Sequence, residues 1–346
     1  MGWPKKHLVT LALLKQLVIL VAILAALSGW AATSQSISLA GRWRFALDRA
    51  DVGLNERWFE RALPERINLP GSLPAQGIGD DITTNTHWVG GVKASPWSTD
   101  PEYAKYREPG QVKIPFWLQP EKYYAGVAWY QHEIEIPKSW NEKRIVLSLE
   151  RPHWESQVWV DDRLMGTNDS LATPHEYDLG RLTPGRHRLA IRMDNRMVID
   201  IGENSHAISD NTQGNWNGIA GEIKLYVTPP VWIEDLQVYP HTTAKSVTVK
   251  GKVGNATGAG GKGQVRLSCD GQTLSLPVIW QTNGGSFETE FHLSGDVKTW
   301  DEFSPALYHL SAKMDNGAEK TVTFGFRDLS TRGTQFTVNG RAIFFR

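Results

Sequence analysis

From Ile37 onward no long stretch of the chain carries apolar residues at helical spacing. Short runs alternate apolar with polar residues instead, and Gly, Pro, Asn and Asp separate them. Ala128, Tyr130, His132, Ile134 and Ile136 share one face of such a run. Ile145, Leu147 and Leu149 form the next, then Val158 and Val160, then Leu189, Ile191 and Met193, then Ile223, Leu225 and Val227. A period of two sets one face of each strand on a core and the other in water. Strands in this number, with no helices between them, predict a sandwich of antiparallel sheets.

Pro229-Pro230 interrupts the series and marks a domain boundary. A second set of strands opens with Val231 to Tyr239. It continues through Val247 and Val249, Val265 and Leu267, Phe287 and Phe291, Tyr308 to Met314, and Val322 to Phe326. About seven strands in roughly 100 residues match an immunoglobulin-like sandwich. The Cys pair and core Trp of antibody domains are absent, so only the architecture is implied. Thr257 to Gly263 reads as a flexible hairpin tip. The last piece, Gln335 to Phe345, reads as a hairpin turned at Asn339-Gly340, because both turn positions need φ > 0. Its Phe336, Phe344 and Phe345 either pack on the second sandwich or leave an exposed apolar edge.

One segment breaks the alternation. Thr83 to Tyr124 carries Trp88, Trp97, Tyr103, Tyr106, Phe116, Trp117, Tyr123 and Tyr124 among several Pro and Gly. Structureless stretches of this length are uncommon inside a compact domain, and so many aromatics argue against disorder. An ordered excursion packed on the first sandwich is expected.

The N-terminus has the pattern of an export signal. Lys5, Lys6 and Lys15 precede an apolar run of 11 residues, Leu17 to Leu27, and Gly29-Trp30-Ala31 offers a small-x-small cleavage site. The run is shorter than the roughly 20 residues that cross a bilayer. The reading is a signal peptide over 1–31, a mature start near Thr33, and a periplasmic, cell-surface or secreted protein. A retained anchor would have to bury Lys15. Cys269 is the single cysteine, so no intrachain disulfide forms. The net charge is zero among 346 residues. With no basic surplus to neutralise phosphates, nucleic-acid binding is not expected.

Several short motifs fall in order along the strands: Gly126-Val127-Ala128-Trp129-Tyr130, Asn217-Gly218-Ile219, Ser304-Pro305-Ala306-Leu307-Tyr308-His309-Leu310 and Phe324-Gly325-Phe326-Arg327. The chain then ends on Asn339-Gly340-Arg341-Ala342-Ile343-Phe344-Phe345-Arg346. With these motifs the chain resembles the front half of the family 2 glycoside hydrolases, a family of β-galactosidases, β-glucuronidases and β-mannosidases. The resemblance implies an all-β chain. A jelly-roll-like sugar-binding sandwich spans 36–229, an immunoglobulin-like sandwich spans 230–328, and 329–346 begins a catalytic (β/α)8 barrel that the chain lacks. It also implies that the acid/base and nucleophile glutamates lie in that barrel, so no catalytic residue is expected here. The complete enzyme would hydrolyse terminal β-glycosides with retention, and the chain's partners would be a β-linked carbohydrate and the barrel of the same parent protein. A stand-alone carbohydrate-binding module, and a sandwich pair serving protein contacts only, remain open alternatives.

Glycoside hydrolysis needs two carboxyl groups facing each other across the scissile bond. The neighbouring pairs Glu133/Glu135 and Asp161-Asp162 have the spacing of an outward strand face and of a turn. Asp80-Asp81, in a glycine-bearing loop, leaves room for a ligand role. The richest polar stretch runs from Asn204 to Gly218 around one Trp, and sugar hydroxyls want such donors and acceptors beside an aromatic face. The resemblance matches Asp210 to a loop aspartate that some family members offer to the bound sugar. Asp210, Asn215 and Trp216 are therefore the sugar-binding candidates. The family often has Arg three residues after the glycine of the Gly-Ile pair, and Gly221 stands there in this chain. No His/Cys/Asp cluster has metal-ligand spacing. No cofactor is expected, with a structural calcium on loop aspartates left open.

Overall fold

The computed structural model describes residues 36–89, 96–114, 118–200, 202, 208–210 and 214–344. The expected signal segment, Phe116, Trp117, Phe345 and parts of the polar loop lie outside these residues.

The first core is closed between two antiparallel sheets. One has six strands in the spatial order Arg163–Asn168, Glu155–Val160, Gly185–Asp194, Val127–Ile136, Gly41–Asp48 and Glu65–Leu69. The other has four, in the order Ser36–Ser38, Ile223–Thr228, Arg144–Leu149 and His175–Gly180. Ala128, Tyr130, Ile134 and Ile136 meet Ile145, Leu147, Leu149, Ile223 and Leu225 across the interior, as the alternation requires.

The alternation misses a second core on the outer face of the six-stranded sheet. Val127, Trp129 and Gln131 point away from the sandwich interior yet are buried, because segment 49–64 folds over them. Phe59 stacks on Trp159 at 5.1 Å, and Trp129 lies 5.2 Å from Trp159. Buried polar groups hold the cover down. Asp48 accepts from Val52 N, Gly53 N and Trp129 Nε1 at 2.9, 2.8 and 3.0 Å. Gln131 accepts from Leu63 N and donates to the carbonyls of Trp58 and Arg61. Gly53 is required by close approach, since a Cβ there would sit 2.4 Å from Trp129 Nε1.

Pro229-Pro230 joins the last strand of the first core to Val231–His241, the first of the second. Arg144 bridges the two sandwiches. Its guanidinium lies 3.8 Å over the Trp232 ring while its Nε donates to Asp178 at 2.8 Å. The second core is enclosed by a three-stranded layer and a four-stranded layer. The first contains Val231–His241, Ser246–Asn255 and Gly284–His292. The second contains Gln272–Gln281, Gly261–Cys269, Tyr308–Met314 and Glu319–Phe324. The two layers form one continuous sheet, because Gln272–Gln281 and Gly284–His292 pair only beside their turn, at Trp280↔Gly285 and Gln281↔Gly284. Cys269 is buried in this core as a free thiol.

Two expectations change here. Thr257 to Gly263 is no hairpin tip: the strands it joins are not paired, and it crosses between the layers. Asn255 Nδ2 ties it down through the carbonyls of Ala259 and Gln281. The terminal hairpin is a three-stranded meander, Leu329–Arg332, Gln335–Val338 and Arg341–Ala342. Asn339 and Gly340 take φ of 51° and 77°, as the turn requires. Thr337 and Val338 are buried, whereas Phe336 and Phe344 are exposed. Asn339 fastens the meander to the second sandwich, accepting from Asp328 N at 2.9 Å and donating to Trp300 O at 3.0 Å.

Asn339→Ala removes both of these bonds and the favoured αL residue. It should cost about 1–2 kcal/mol and lower the melting temperature by about 2–6 °C. An unchanged melting curve would show that the meander stands free of the sandwich.

Candidate functional site

The polar loop and the aromatic excursion, far apart in sequence, meet at one carboxylate. Asp210 is fully buried. Its Oδ2 accepts from Val89 N at 2.7 Å and from the Tyr123 hydroxyl at 2.5 Å, and its Oδ1 accepts from Asn215 N at 2.5 Å. Asp210 N returns a bond to Val89 O at 2.6 Å. Trp88 and Tyr123 pack ring against ring at 4.7 Å above this joint. Burial pushes the Asp210 carboxyl above its ordinary range, with the three donors pulling the other way. Burial also raises the Tyr123 hydroxyl, so Tyr123 stays protonated as a donor.

Residues 214–217 are irregular backbone, and Asn215 and Asn217 are buried, so side chains must satisfy the polar groups there. Three asparagines do so. Asn195 Oδ1 accepts from Gly126 N, and its Nδ2 donates to Tyr124 O. Asn215 Nδ2 donates to Asn195 O at 2.7 Å, and its Oδ1 faces His153 Nε2 at 2.9 Å. Asn217 accepts from the Tyr130 hydroxyl and donates to the carbonyls of Gly126 and Met193. Burial lowers the His153 pKa, so the ring is neutral near pH 7, and Nε2–H is the donor to Asn215. Trp216 is half-buried and stacks on His153 at 4.8 Å and 25°.

Of the three sequence candidates, Asp210 and Asn215 thus lie inside the wall, and Trp216 stands at its edge. In this arrangement both oxygens of Asp210 are committed to protein donors, so its effect on a ligand passes through the segments it joins. From sequence, Tyr123 was only one of the excursion aromatics and Asn217 only part of a family motif, and Val89 and Asn195 were not singled out. A hydroxyl or amide reaching across tens of residues leaves no local signal.

An open cleft of about 890 Å3 lies along the excursion, lined in part by Asp81, Thr83, Tyr106, Lys113, Gln119, Pro120 and Glu121. Gly214 abuts one wall: a Cβ there would lie 3.1 Å from Pro120 Cδ. The excursion has a small core of its own. Trp97 and Ile114 are buried with Trp88, Tyr103 and Val112 against them, and Trp97 Nε1 donates to Lys113 O.

Each carboxylate pair faces at least one basic side chain. Asp80 pairs with Arg49, Asp81 with Lys122, Glu133 with Arg188, Glu135 with Arg186, and Asp161 with His187. Among the described residues no group of three or more His, Cys, Asp or Glu side chains could hold a metal ion. At Gly221, where the resemblance expects Arg, a Cβ would lie 2.6 Å from Glu150 Cβ. Glu150 also accepts from Glu222 N at 2.7 Å, so the position has no room for a side chain.

Asp210→Ala would leave the Tyr123 hydroxyl and the Asn215 amide without an acceptor, and the Val89 amide with only its longer bond to the Tyr123 hydroxyl at 3.2 Å. At about 1–3 kcal/mol for a buried orphan, relieved by water entry, the net loss should be about 3–5 kcal/mol. Denaturant unfolding reads this directly, and a loss under about 1 kcal/mol would remove Asp210 from its structural place.

Comparison with known proteins follows the same two-part division. The family model for the glycosyl hydrolases family 2 sugar-binding domain matches residues 37–107 and 92–229, and the model for glycosyl hydrolases family 2 matches 231–327. A β-glucuronidase from Paenibacillus borealis is 20% identical over 337 residues, covering 91% of this chain and 49% of that protein. A β-galactosidase from Arthrobacter sp. (strain B7) is 25% identical over 316 residues, covering 90% of this chain and 29% of that protein. Among solved structures, a β-glucuronidase from an uncultured Clostridium sp. superposes with a TM-score of 0.60 at 22% identity, over 90% of this chain and 48% of its own. A β-galacturonidase from Eisenbergiella tayi, bound to galacturonate, gives 0.60 at 19%, over 89% and 46%. These last two likenesses bear on the fold alone. The chain spans about half or less of the length of these relatives. With both family models matched in order over nearly all of 37–327, the chain belongs to glycosyl hydrolases family 2 and corresponds to the N-terminal portion of its β-glycosidases.

Proposed function

We propose that this chain is the sugar-binding and immunoglobulin-like portion of an exported β-glycosidase. Its complete form would hydrolyse a terminal β-glycosidic bond with retention, through a glycosyl-enzyme intermediate. The chain's share of that work is to shape one side of the substrate pocket and to support the (β/α)8 catalytic barrel of the parent protein. Export rests on the Lys-rich start and the 11-residue apolar run that follows.

One observation carries the reading. The polar loop and the aromatic excursion are locked to each other at Asp210, and the excursion borders an open cleft of about 890 Å3 whose Pro120 meets Gly214 of the loop. A wall of this kind orients a sugar with polar edges and aromatic faces. Trp216, half-buried at the end of the loop, supplies the aromatic face, and Asp210 with Asn215 holds it in place. The neighbouring carboxylates Asp80, Asp81, Glu133 and Glu135 are held in surface ion pairs.

An open wall buries only one side of a sugar. The chain should therefore bind mono- and disaccharides near the millimolar range, about −4 kcal/mol, and should not turn over aryl β-glycosides. Trp fluorescence titration with galactose, glucuronate, mannose and their β-disaccharides, run beside nitrophenyl glycoside assays, provides the test. Trp216→Ala should abolish the binding signal while the chain stays folded. Turnover abolished by a single Asp or Glu substitution would contradict the reading. Micromolar binding would favour a self-sufficient carbohydrate-binding module.

A further inference from the structure

A second cavity lies on the outer face of the six-stranded sheet and shares no residue with the cleft along the aromatic excursion. It is open, about 710 Å3 in volume, and five of its lining residues are arginines: Arg42, Arg44, Arg66, Arg186 and Arg188. Two of these are partly neutralised. Arg186 lies 3.5 Å from Glu135, and Arg188 lies 3.6 Å from Glu133. The other three have no carboxylate partner among the described residues. Arg44 donates one Nη1–H to Leu63 O at 3.0 Å, which leaves most of its guanidinium donors for other use.

The placement of these three is costly for the protein alone. Arg44 and Arg66 are directly opposite each other on neighbouring antiparallel strands, and Arg42 is on the same face two residues from Arg44. Like charges directly across a strand pair repel and destabilise the sheet. Desolvation, with Arg44 and Arg42 nearby, pulls the Arg66 pKa below its ordinary value. A sheet face under no other demand would carry neutral or alternating charges there. The repulsion is relieved if an anion sits between the guanidiniums, and the planar fork of arginine suits a carboxylate or sulfate held by two parallel bonds.

The shape says what carries the anion. The cavity crosses four strands, from Gly185–Asp194 to Glu65–Leu69, which at about 4.8 Å per strand is a run of about 14 Å. A single small anion would fill only the Arg42–Arg44–Arg66 end. The far end offers Glu133, an acceptor for hydroxyls, and its two paired arginines. The aromatic ring in the lining, His132, is half-buried and already stacked on Trp43 at 4.8 Å, and the lining has no large aliphatic side chain, so it provides neither a free stacking platform for bases nor an anchor for a lipid surface.

We propose that this arginine-lined cleft binds an acidic polysaccharide, holding a carboxylate or sulfate group between Arg42, Arg44 and Arg66 and the chain's hydroxyls towards Glu133. The site is separate from the wall around Asp210 and does not depend on the glycosidase reading.

The full chain should bind oligogalacturonate, which carries carboxylates, or dextran sulfate, which carries sulfates, and should ignore neutral dextran. The stronger of the two polyanions identifies the anionic group. Binding should weaken steeply with added salt, as contacts between fixed charges do. Arg42→Gln with Arg66→Gln should weaken it by about tenfold or more, because both charge-assisted bonds and the local field are lost. The same double variant should melt at or above the temperature of the unaltered chain, since the like-charge contact is gone. That result separates a ligand site from a structural one. Trp216→Ala, which tests the other site, should leave polyanion binding unchanged. Three results would overturn the proposal: no binding of either polyanion, binding untouched by the double variant, or equal binding to duplex DNA or to vesicles of anionic phospholipid.

Discussion

Irregular backbone cannot lie inside a sandwich unless something answers its N–H and C=O groups. That requirement governs the working end of this molecule. Asn195, Asn215 and Asn217 answer for the segment that leads from the polar loop to the strand at Gly218. Asp210 answers for the joint between that loop and the aromatic excursion. Tyr130 and Met193, on strands of the first core, anchor Asn217, and Gly126 and Asn195 lie at the ends of those same two strands. The sheet thus fixes the described parts of two connections that lie far apart in sequence. Conversely, these buried amides and the carboxylate carry a desolvation cost that is met only while every partner is in place.

The same logic is repeated on the far side of the six-stranded sheet. Segment 49–64 covers Trp129 and Trp159 and is pinned by Asp48 and Gln131. Both faces of Val127–Ile136 are buried near its start, and only its later half is two-faced, with Glu133 and Glu135 in water. The cover ends where the arginine cleft begins. Gln131 holds the edge of the cover and also lines the cleft, so the apolar outer core and the charged groove are adjacent parts of one surface.

The legible parts of the sequence were those that repeat locally. The period of two picked out Ile145, Leu147 and Leu149, Leu189, Ile191 and Met193, and Ile223 and Leu225, all buried in the first core. Pro229-Pro230 marked the change of core, and Asn339-Gly340 marked the last turn through its need for positive φ. What stayed hidden depended on distant partners. Trp129 and Gln131 sit at positions the alternation assigns to water, and only the fold of 49–64 turns them inward. Asp210 was recognisable as a notable polar residue, but not as a buried one, because Val89 and Tyr123 reach it from more than 80 residues away. The Gly-rich run from Thr257 looked like a turn between partners. Pairing is a property of the whole sheet, and its neighbours lie in different layers.

The central claim is that Asp210 couples the loop to the excursion, rather than stabilising its own loop alone. Amide hydrogen exchange in Asp210→Ala, under conditions where the variant remains folded, addresses this directly. The account predicts that the amides of Val89 and Asn215 lose protection together, while Leu147, Ile191 and Leu225 in the first core keep theirs. Loss of protection at Asn215 with Val89 unchanged would contradict it.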